Sequence, residues 1–172
     1  MLVRAVAAVL LSLFLPYTKA TEEYEERLDY LEDWAAEDGI DTDTMKSMSI
    51  AEWVWFYNYA AKEDESHYEG SDIMMNIVAA LLIAFTLLIL LLGFKKKPVG
   101  IMIFDILLLG VYSFENFVHT QLEVVPDCYT WSLAYYLFFA AIAAVFVGAV
   151  WLIVDKARHK KADIAAAQES GL

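Results

Sequence analysis

Long apolar runs separated by short polar segments set the pattern of this chain. The runs at 73–94 and 131–154 contain no charged residue and exceed the roughly 18 residues that mark a membrane-spanning helix. A third run, 99–118, is of similar length but carries polar residues. Only residues 95–98 join the first run to this one, so the two are expected to be antiparallel neighbours. The pattern therefore predicts three transmembrane helices within residues 72–155.

The first twenty residues have the pattern of a secretory signal peptide. Their apolar core, 5–15, follows Arg4 and is too short to span a bilayer. Pro16 ends the core, and Thr18 and Ala20 fit the small-residue positions of a cleavage site after Ala20. The segment is therefore predicted to be removed, with an uncleaved membrane anchor as the alternative.

Residues 21–71 combine helical periodicity with many carboxylates. Thr21 is placed to cap a first helix, and Ser49 and Glu52 have the spacing of a capping box at the start of a second. Apolar residues recur at helical spacing in both, which predicts an acidic helical hairpin outside the membrane. The predicted fold class is all-α, with three transmembrane helices and a small hairpin ectodomain.

The second helix of this hairpin has more aromatic residues than one apolar face requires. A hairpin of this size without disulfides is too small for a dependable core of its own. The surplus aromatic residues are therefore predicted to form a docking face for a partner protein. The membrane surface and the loop 119–130 are the alternatives. The residues of this predicted docking face are Trp53, Trp55, Phe56 and Tyr57.

Composition and charge add an orientation to this layout. Hydrophobic residues make up 60% of the chain, and the mean hydropathy is +0.49, which excludes an ordinary soluble domain. The net charge is −12, yet residues 95–97 and 156–161 are basic. The positive-inside rule then places the tail 156–172 in the cytoplasm and the acidic hairpin in the lumen or outside the cell. This predicts a multi-pass protein of the secretory pathway or plasma membrane.

Nucleic acid is not an expected partner, because the acidic hairpin would repel phosphates.

Five polar residues interrupt the second span, and helical geometry places them on one side. At about 100° per residue they fall within a third of the helix circumference. Ionisable residues within a span normally face a bundle interior or a wet cavity. The stripe is therefore predicted to mark the inward face of this helix. Its members are Asp105, Tyr112, Glu115, Asn116 and His119.

The position of Asp105 leaves three interpretations open. It lies about 9 Å from the basic end of its helix at 1.5 Å per residue. An ion pair with Lys96 or Lys97 would fix helix packing. A contact with a partner's charged residue would fix assembly. A proton or cation step would make Asp105 part of a transport path.

Glu115 and His119 are spaced four residues apart and therefore lie on one helix face. Two ligands alone give a weak metal signal, and a third would have to come from Asp127, Cys128 or His67. A hydrogen-bonded pair is the expected arrangement, and neither a metal nor another cofactor is predicted.

Two features near the third span could join this helix to another helix or this chain to a partner. Ala140, Ala144 and Gly148 recur every four residues, which lets another helix approach closely, whether from this chain or from a partner. Cys128 is the only cysteine, so no internal disulfide forms. It is either free or bridges to a partner or second copy in an oxidising compartment.

Function is predicted from this layout rather than from a catalytic motif. The sequence contains no nucleophile elbow, phosphate-binding glycine loop or HExxH motif, so an enzyme is not expected. We expect a non-enzymatic accessory or assembly subunit of a larger membrane complex. It would sit in the bilayer and dock on a membrane-embedded partner, or on a second copy, through its spans and ectodomain. The competing prediction is a small oligomeric proton- or cation-coupled transporter or channel that uses Asp105, Glu115 and His119.

Overall fold

A computed structural model describes residues 2–37, 41–63, 70–122 and 124–170. It is 84% helical, and three helices are long and apolar enough to cross a membrane, which confirms the predicted class. A distorted turn at Val124–Cys128 precedes the last strand. The other elements are α1 (Leu2–Ser12), β1 (Thr18–Ala20), α2 (Glu22–Glu37), α3 (Thr42–Met45), β2 (Ser47–Met48), α4 (Ile50–Glu63), α5 (Ser71–Phe94), α6 (Pro98–Gln121), β3 (Tyr129–Trp131) and α7 (Leu133–Ser170).

Helices α5, α6 and the first part of α7 form the frame of the bundle. A short turn after α5 reverses the chain, so that α6 packs against it, and the rings of Phe85 and Phe104 lie 5.7 Å apart. Between α6 and α7, the ring of Tyr112 stacks on Phe138 with 3.8 Å between centroids. The end of the bundle that meets α2 and α4 is called the acidic end here, and the opposite end, near Lys95–Lys97, the basic end.

The segment predicted as a signal peptide packs against this frame. Helix α1 lies against α7 and α5, and Val6 and Val9 are only 1% exposed. Leu2 approaches α5 so closely that a Cβ on Gly93 would lie 2.6 Å from the Leu2 side chain. These residues are therefore part of the core of the described fold. Cleavage after Ala20 stays a prediction.

Helices α1 and α4 together take the place of a fourth span. The carbonyl of Leu13, just beyond α1, accepts a hydrogen bond from the backbone N–H of Ala51 in α4 at 3.3 Å. Ile50 lies beside Leu82, near the middle of α5. The two helices have 11 and 14 residues, which together is about the length of the 24-residue α5. This combined span is therefore broken in its middle, between the end of α1 at Ser12 and the start of α4 at Ile50.

Several backbone groups at the break are paired, and inside a bilayer each unpaired group would cost several kcal/mol. The backbone N–H of Ser49 donates to the Glu52 carboxylate at 2.6 Å, and the N–H of Glu52 donates to the Ser49 hydroxyl at 3.2 Å. This confirms the predicted capping box. At the end of α1, the hydroxyl of Ser12 donates to the carbonyl of Val9 at 2.7 Å.

A small antiparallel sheet, which the sequence did not predict, lies over the break. Its order is β2-β1-β3, so the central strand comes from the N-terminal segment. Thr18 pairs with Met48 on one side and with Trp131 on the other. Strands of two or three residues show no alternation to detect, and their partners lie far away in the sequence.

The acidic end is joined to the bundle rather than standing apart from it. Thr21 caps α2 as predicted, because its hydroxyl accepts from the N–H of Tyr24 at 3.4 Å. The apolar faces of α2 and α4 meet across Tyr129, whose ring lies 5.2 Å from Tyr24 and 5.1 Å from Trp53. Helix α4 also packs along α5.

Helix α7 is longer than a bilayer requires. Its 38 residues extend about 57 Å at 1.5 Å per residue, against a hydrocarbon core of about 30 Å. Side chains at positions 153–162 are all exposed. The last third of α7, residues 158–170, therefore projects beyond the basic end, and it is called the basic arm here.

The predicted small-residue ridge lies only partly on the packed face of α7. Gly148 is buried, Ala144 is half-buried and Ala140 is exposed. The packed face itself runs through residues one position further along, and the helix that approaches it is α1 as well as α6. The fully buried residues of this face include Ala141, Val145 and Ala149.

Candidate functional site

Helix α6 directs its polar stripe into the interior of the bundle. Asn116 is half-buried, at the edge of the stripe. The other four members are each at most 1% exposed, and they are Asp105, Tyr112, Glu115 and His119. The stripe is divided by depth, since ten residues, or about 15 Å, separate Asp105 from Glu115.

Tyr17 closes the acidic half of the stripe. Its hydroxyl donates to the Glu115 carboxylate and also reaches the side-chain oxygen of Asn116. Burial and then the Glu115 carboxylate raise the pKa of Tyr17, so the hydroxyl keeps its proton and acts as a donor. The sheet fixes its position, because the N–H of Tyr17 donates to Met48 at 2.8 Å and its carbonyl accepts from Ser132 at 2.9 Å.

His119 lies in an aromatic enclosure beside Glu115. Its Nδ1 is 3.1 Å from a carboxylate oxygen of Glu115 and 3.2 Å from the carbonyl of the same residue. Three rings meet it edge-on, with centroids at 4.9 Å for Trp53, 5.9 Å for Tyr17 and 6.3 Å for Tyr57. Its Nε2 has no hydrogen-bond partner among the described residues. The Oε1 of Glu115 likewise has no hydrogen-bond partner among the described residues, so the side chains of Glu115 and His119 lie within ion-pair distance but do not meet hydrogen-bond geometry, in a site closed by aromatic rings.

Trp53 and Tyr57 are therefore not parts of an external docking face. They are 3% and 4% exposed, and the indole N–H of Trp53 donates to the Thr18 hydroxyl at 2.9 Å. The preference for a partner protein over the chain's own loop was wrong for these two rings, because β3 and α6 cover them. Phe56 is half-buried, and Trp55 is 47% exposed.

Asp105 lies alone in the basic half of the bundle. Its Oδ1 has no hydrogen-bond partner in the described part of the chain. None of the ion pairs found there involves Asp105, so the predicted pair with Lys96 or Lys97 is not formed. The Phe85–Phe104 contact places the buried Thr86 at a similar depth on α5. Asp105 is thus enclosed by its own bundle, and the contact with a partner's charge considered above stays a prediction.

The loop after α6 provides no metal site among the residues that the structure describes. No group of three or more histidine, cysteine, aspartate or glutamate side chains gathers there, and His67 lies outside the described residues. Cys128 is a free, half-buried thiol, and burial and then Asp127 raise its pKa. An intermolecular disulfide through Cys128 stays a prediction.

Sequence reasoning missed the two residues that complete this site, Tyr17 and Thr18. Both lie in the segment predicted to be removed, so neither was considered as part of the fold. The available signal was weak: a tyrosine directly after Pro16 places a hydroxyl at the end of an apolar helix.

The site is therefore a closed polar cluster at the break of a span, with an isolated carboxyl deeper in the same bundle. Its donors and acceptors come from the N-terminal segment, α4 and α6 together. Comparison with protein-family models, with curated proteins and with solved structures finds no match for this chain.

Proposed function

We propose that this protein is a non-enzymatic accessory or assembly subunit of a larger membrane complex. The observation that carries the proposal is the basic arm of α7. It continues as a helix past the bundle, and its side chains from residue 158 to residue 162 are all exposed. Isolated helices of this length are marginal in water and gain most of their stability from packing. A helical arm whose described side chains find no packing surface among the described residues is well suited to bind a partner.

The charge of the arm indicates the partner's surface. Lys156 donates to the carbonyl of Lys96 at the end of the bundle. Arg158, Lys160 and Lys161 lie beyond this contact, and Ile164 adds an apolar side chain that is 51% exposed. An acidic groove on a neighbouring subunit would match both features, since basic side chains favour encounter and a buried apolar group favours retention.

Co-purification from native membranes in mild detergent tests this proposal. Substituting Lys160 and Lys161 by glutamate should reduce the amount of co-purified partner by about tenfold, while lysine-to-arginine substitutions should leave it unchanged. Both variants should elute as the same folded species, because the arm does not contribute to the core. Equal recovery of the partner with the glutamate variant would contradict the proposal.

A second docking element is Trp55, which stacks on Tyr59 with 19° between the ring planes. Exposed tryptophans are enriched among residues that dominate interface energies. Trp55→Ala should therefore weaken co-purification, and Tyr30→Ala, at an 88% exposed position on α2, is the matched control. Equal effects of the two variants would exclude a specific role for Trp55.

A second candidate function is proton- or cation-coupled transport. It is favoured by Asp105, a buried and unpaired carboxyl, and by the broken span beside Glu115 and His119, since broken helices often line transport sites. Purified protein in liposomes should then carry a flux that Asp105→Asn abolishes. Absence of flux with the unmodified protein would leave the accessory role as the better account.

A further inference from the structure

Three adjoining cavities run along the acidic half of the molecule. The first is an apolar groove of about 570 Å³ between α5 and α6, open to the surrounding lipid. The second is a chamber of about 720 Å³ between α4, α5 and β3. The third, of about 580 Å³, is a charged rim beside α2. Gly70 and Met74 line both groove and chamber, and Tyr24 and Cys128 line both chamber and rim. Each cavity therefore adjoins the next across two shared lining residues, and the three together are called the path here.

The groove has the dimensions of a hydrocarbon chain. It extends along α5 from Gly70 to Leu81, about 16 Å at 1.5 Å per residue. Gly110 forms part of its opposite wall, and a Cβ at that position would have no neighbour within 4 Å. Its exposed lining is almost entirely apolar, so its natural contents are CH₂ groups.

The chamber differs from the groove in having several aromatic residues in its walls. Its walls include Trp53, Phe56, Tyr57 and Tyr129. Aromatic side chains with a polar edge are favoured where a membrane passes from hydrocarbon to headgroups. Their faces also attract quaternary and primary ammonium groups.

The rim carries charges of both signs. Arg27 lies there with Glu23 and Asp127, and its guanidinium is 2.6 Å from the Glu23 carboxylate. A guanidinium matches a phosphate, whereas the two carboxylates match an ammonium group. The surrounding segment, 21–71, has sixteen acidic and three basic residues, so an anionic headgroup would be repelled. A headgroup with both charges and no net charge fits this rim.

We propose that this path binds one zwitterionic phospholipid. One acyl chain lies in the groove, the glycerol region lies in the aromatic chamber, and the headgroup pairs its phosphate with Arg27 and its ammonium with Glu23 and Asp127. The second chain stays in the bilayer. The change from apolar to aromatic to charged lining, in the order in which a phospholipid presents these groups, carries the proposal.

Native mass spectrometry of the delipidated full-length protein tests it. Phosphatidylcholine should give a single adduct per chain at concentrations where phosphatidylglycerol with the same acyl chains gives about tenfold less, a difference of 1.4 kcal/mol. Soluble glycerophosphocholine, which lacks acyl chains, should not bind at these concentrations. Equal adducts with both lipids would overturn the proposal, because they would indicate only annular lipid.

Two pairs of variants locate the lipid. Gly110→Leu fills the groove and should lower the phosphatidylcholine adduct by on the order of tenfold. Ile103→Phe, at a 53% exposed site on α6 outside the groove, is its control. Arg27→Gln should reduce the preference for phosphatidylcholine, whereas Lys62→Gln, which lies outside the rim, should not.

Two outcomes of these experiments would overturn the lipid-binding proposal. If Gly110→Leu and Ile103→Phe retain equal amounts of lipid, the groove is not the site. If a polypeptide rather than lipid crosslinks to a Gly110→Cys variant in native membranes, the groove binds a helix and the proposal fails.

Discussion

Asp105 and Glu115 are carboxyl groups on the same face of the same helix, and each is 1% exposed. Their surroundings nevertheless differ. Glu115 accepts from Tyr17 and lies 3.1 Å from His119, whereas the Oδ1 of Asp105 has no partner among the described residues. Burying a polar group is costly unless it is paired. The acidic half of α6 therefore uses its polar groups to hold three parts of the chain together, while the basic half retains an unpaired group that packing alone does not require.

The largest expected loss of stability comes from deleting residues 2–20, which contribute both helix packing and a hydrogen bond to the bundle. Helix α1 packs beside the bundle interior, and Tyr17 supplies the donor to Glu115. The shortened chain should lose its folded species in size-exclusion chromatography and its cooperative unfolding by tryptophan fluorescence. Intact mass of the native protein provides the decisive check, because a chain cleaved after Ala20 that is still stably folded would contradict this prediction.

Tyr17→Phe should have the next largest effect. It preserves the ring but removes the donor from the buried Glu115, which should lower the free energy of unfolding by about 1–3 kcal/mol. Unfolding in mixed micelles measures the change. Tyr30→Phe removes a hydroxyl from an 88% exposed ring and should have no effect. If both variants unfold alike, Glu115 is not stabilised by Tyr17.

Trp53→Phe, also in the acidic half, should lower the free energy of unfolding by a smaller amount. The ring against His119 remains, but the 2.9 Å hydrogen bond to Thr18 is lost, and such a bond contributes about 0.5–1.5 kcal/mol. The same unfolding assay measures this loss. Trp55→Phe, at an exposed position on the same helix, is the control. A loss as large as that of Tyr17→Phe would indicate that the ring packing itself had changed.

Asp105→Asn should have the smallest effect and can even be stabilising. No hydrogen bond or ion pair of the described residues is lost, and the amide removes the cost of burying an ionisable group. The unfolding free energy should stay within about 0.5 kcal/mol of the original or increase. Glu115→Gln is the matched comparison and should be the more destabilising of the two. The reverse order would show that Asp105 has a partner that stabilises the fold.

Much of the fold follows from local sequence features. The three spans follow from the length of apolar runs, and the caps at Thr21 and Ser49 follow from the pairing of side chains with free N–H groups one turn away. Helical periodicity also placed the five polar residues on one side of α6, which is the side that the structure buries except at Asn116. In each case the interacting groups lie within a few residues of one another.

The site could not be assembled from such features. Tyr17 and Glu115 are far apart in sequence, and the sheet that positions Tyr17 consists of strands too short to show a period. Likewise Trp53 looked like a docking residue because an aromatic helix face is apolar whether it meets a partner or its own chain. Only contacts distant in sequence distinguish these possibilities.

The sequence by itself determined a predominantly helical membrane protein with three spans, an acidic end and a basic end, because hydrophobic length, capping and charge act locally along the chain. The tertiary structure alone decided that α1 and α4 share the place of a fourth span, and that Glu115 is paired while Asp105 is not. The reason is physical: the pairing of a buried group depends on which distant segment reaches it, and periodicity carries no information about that segment.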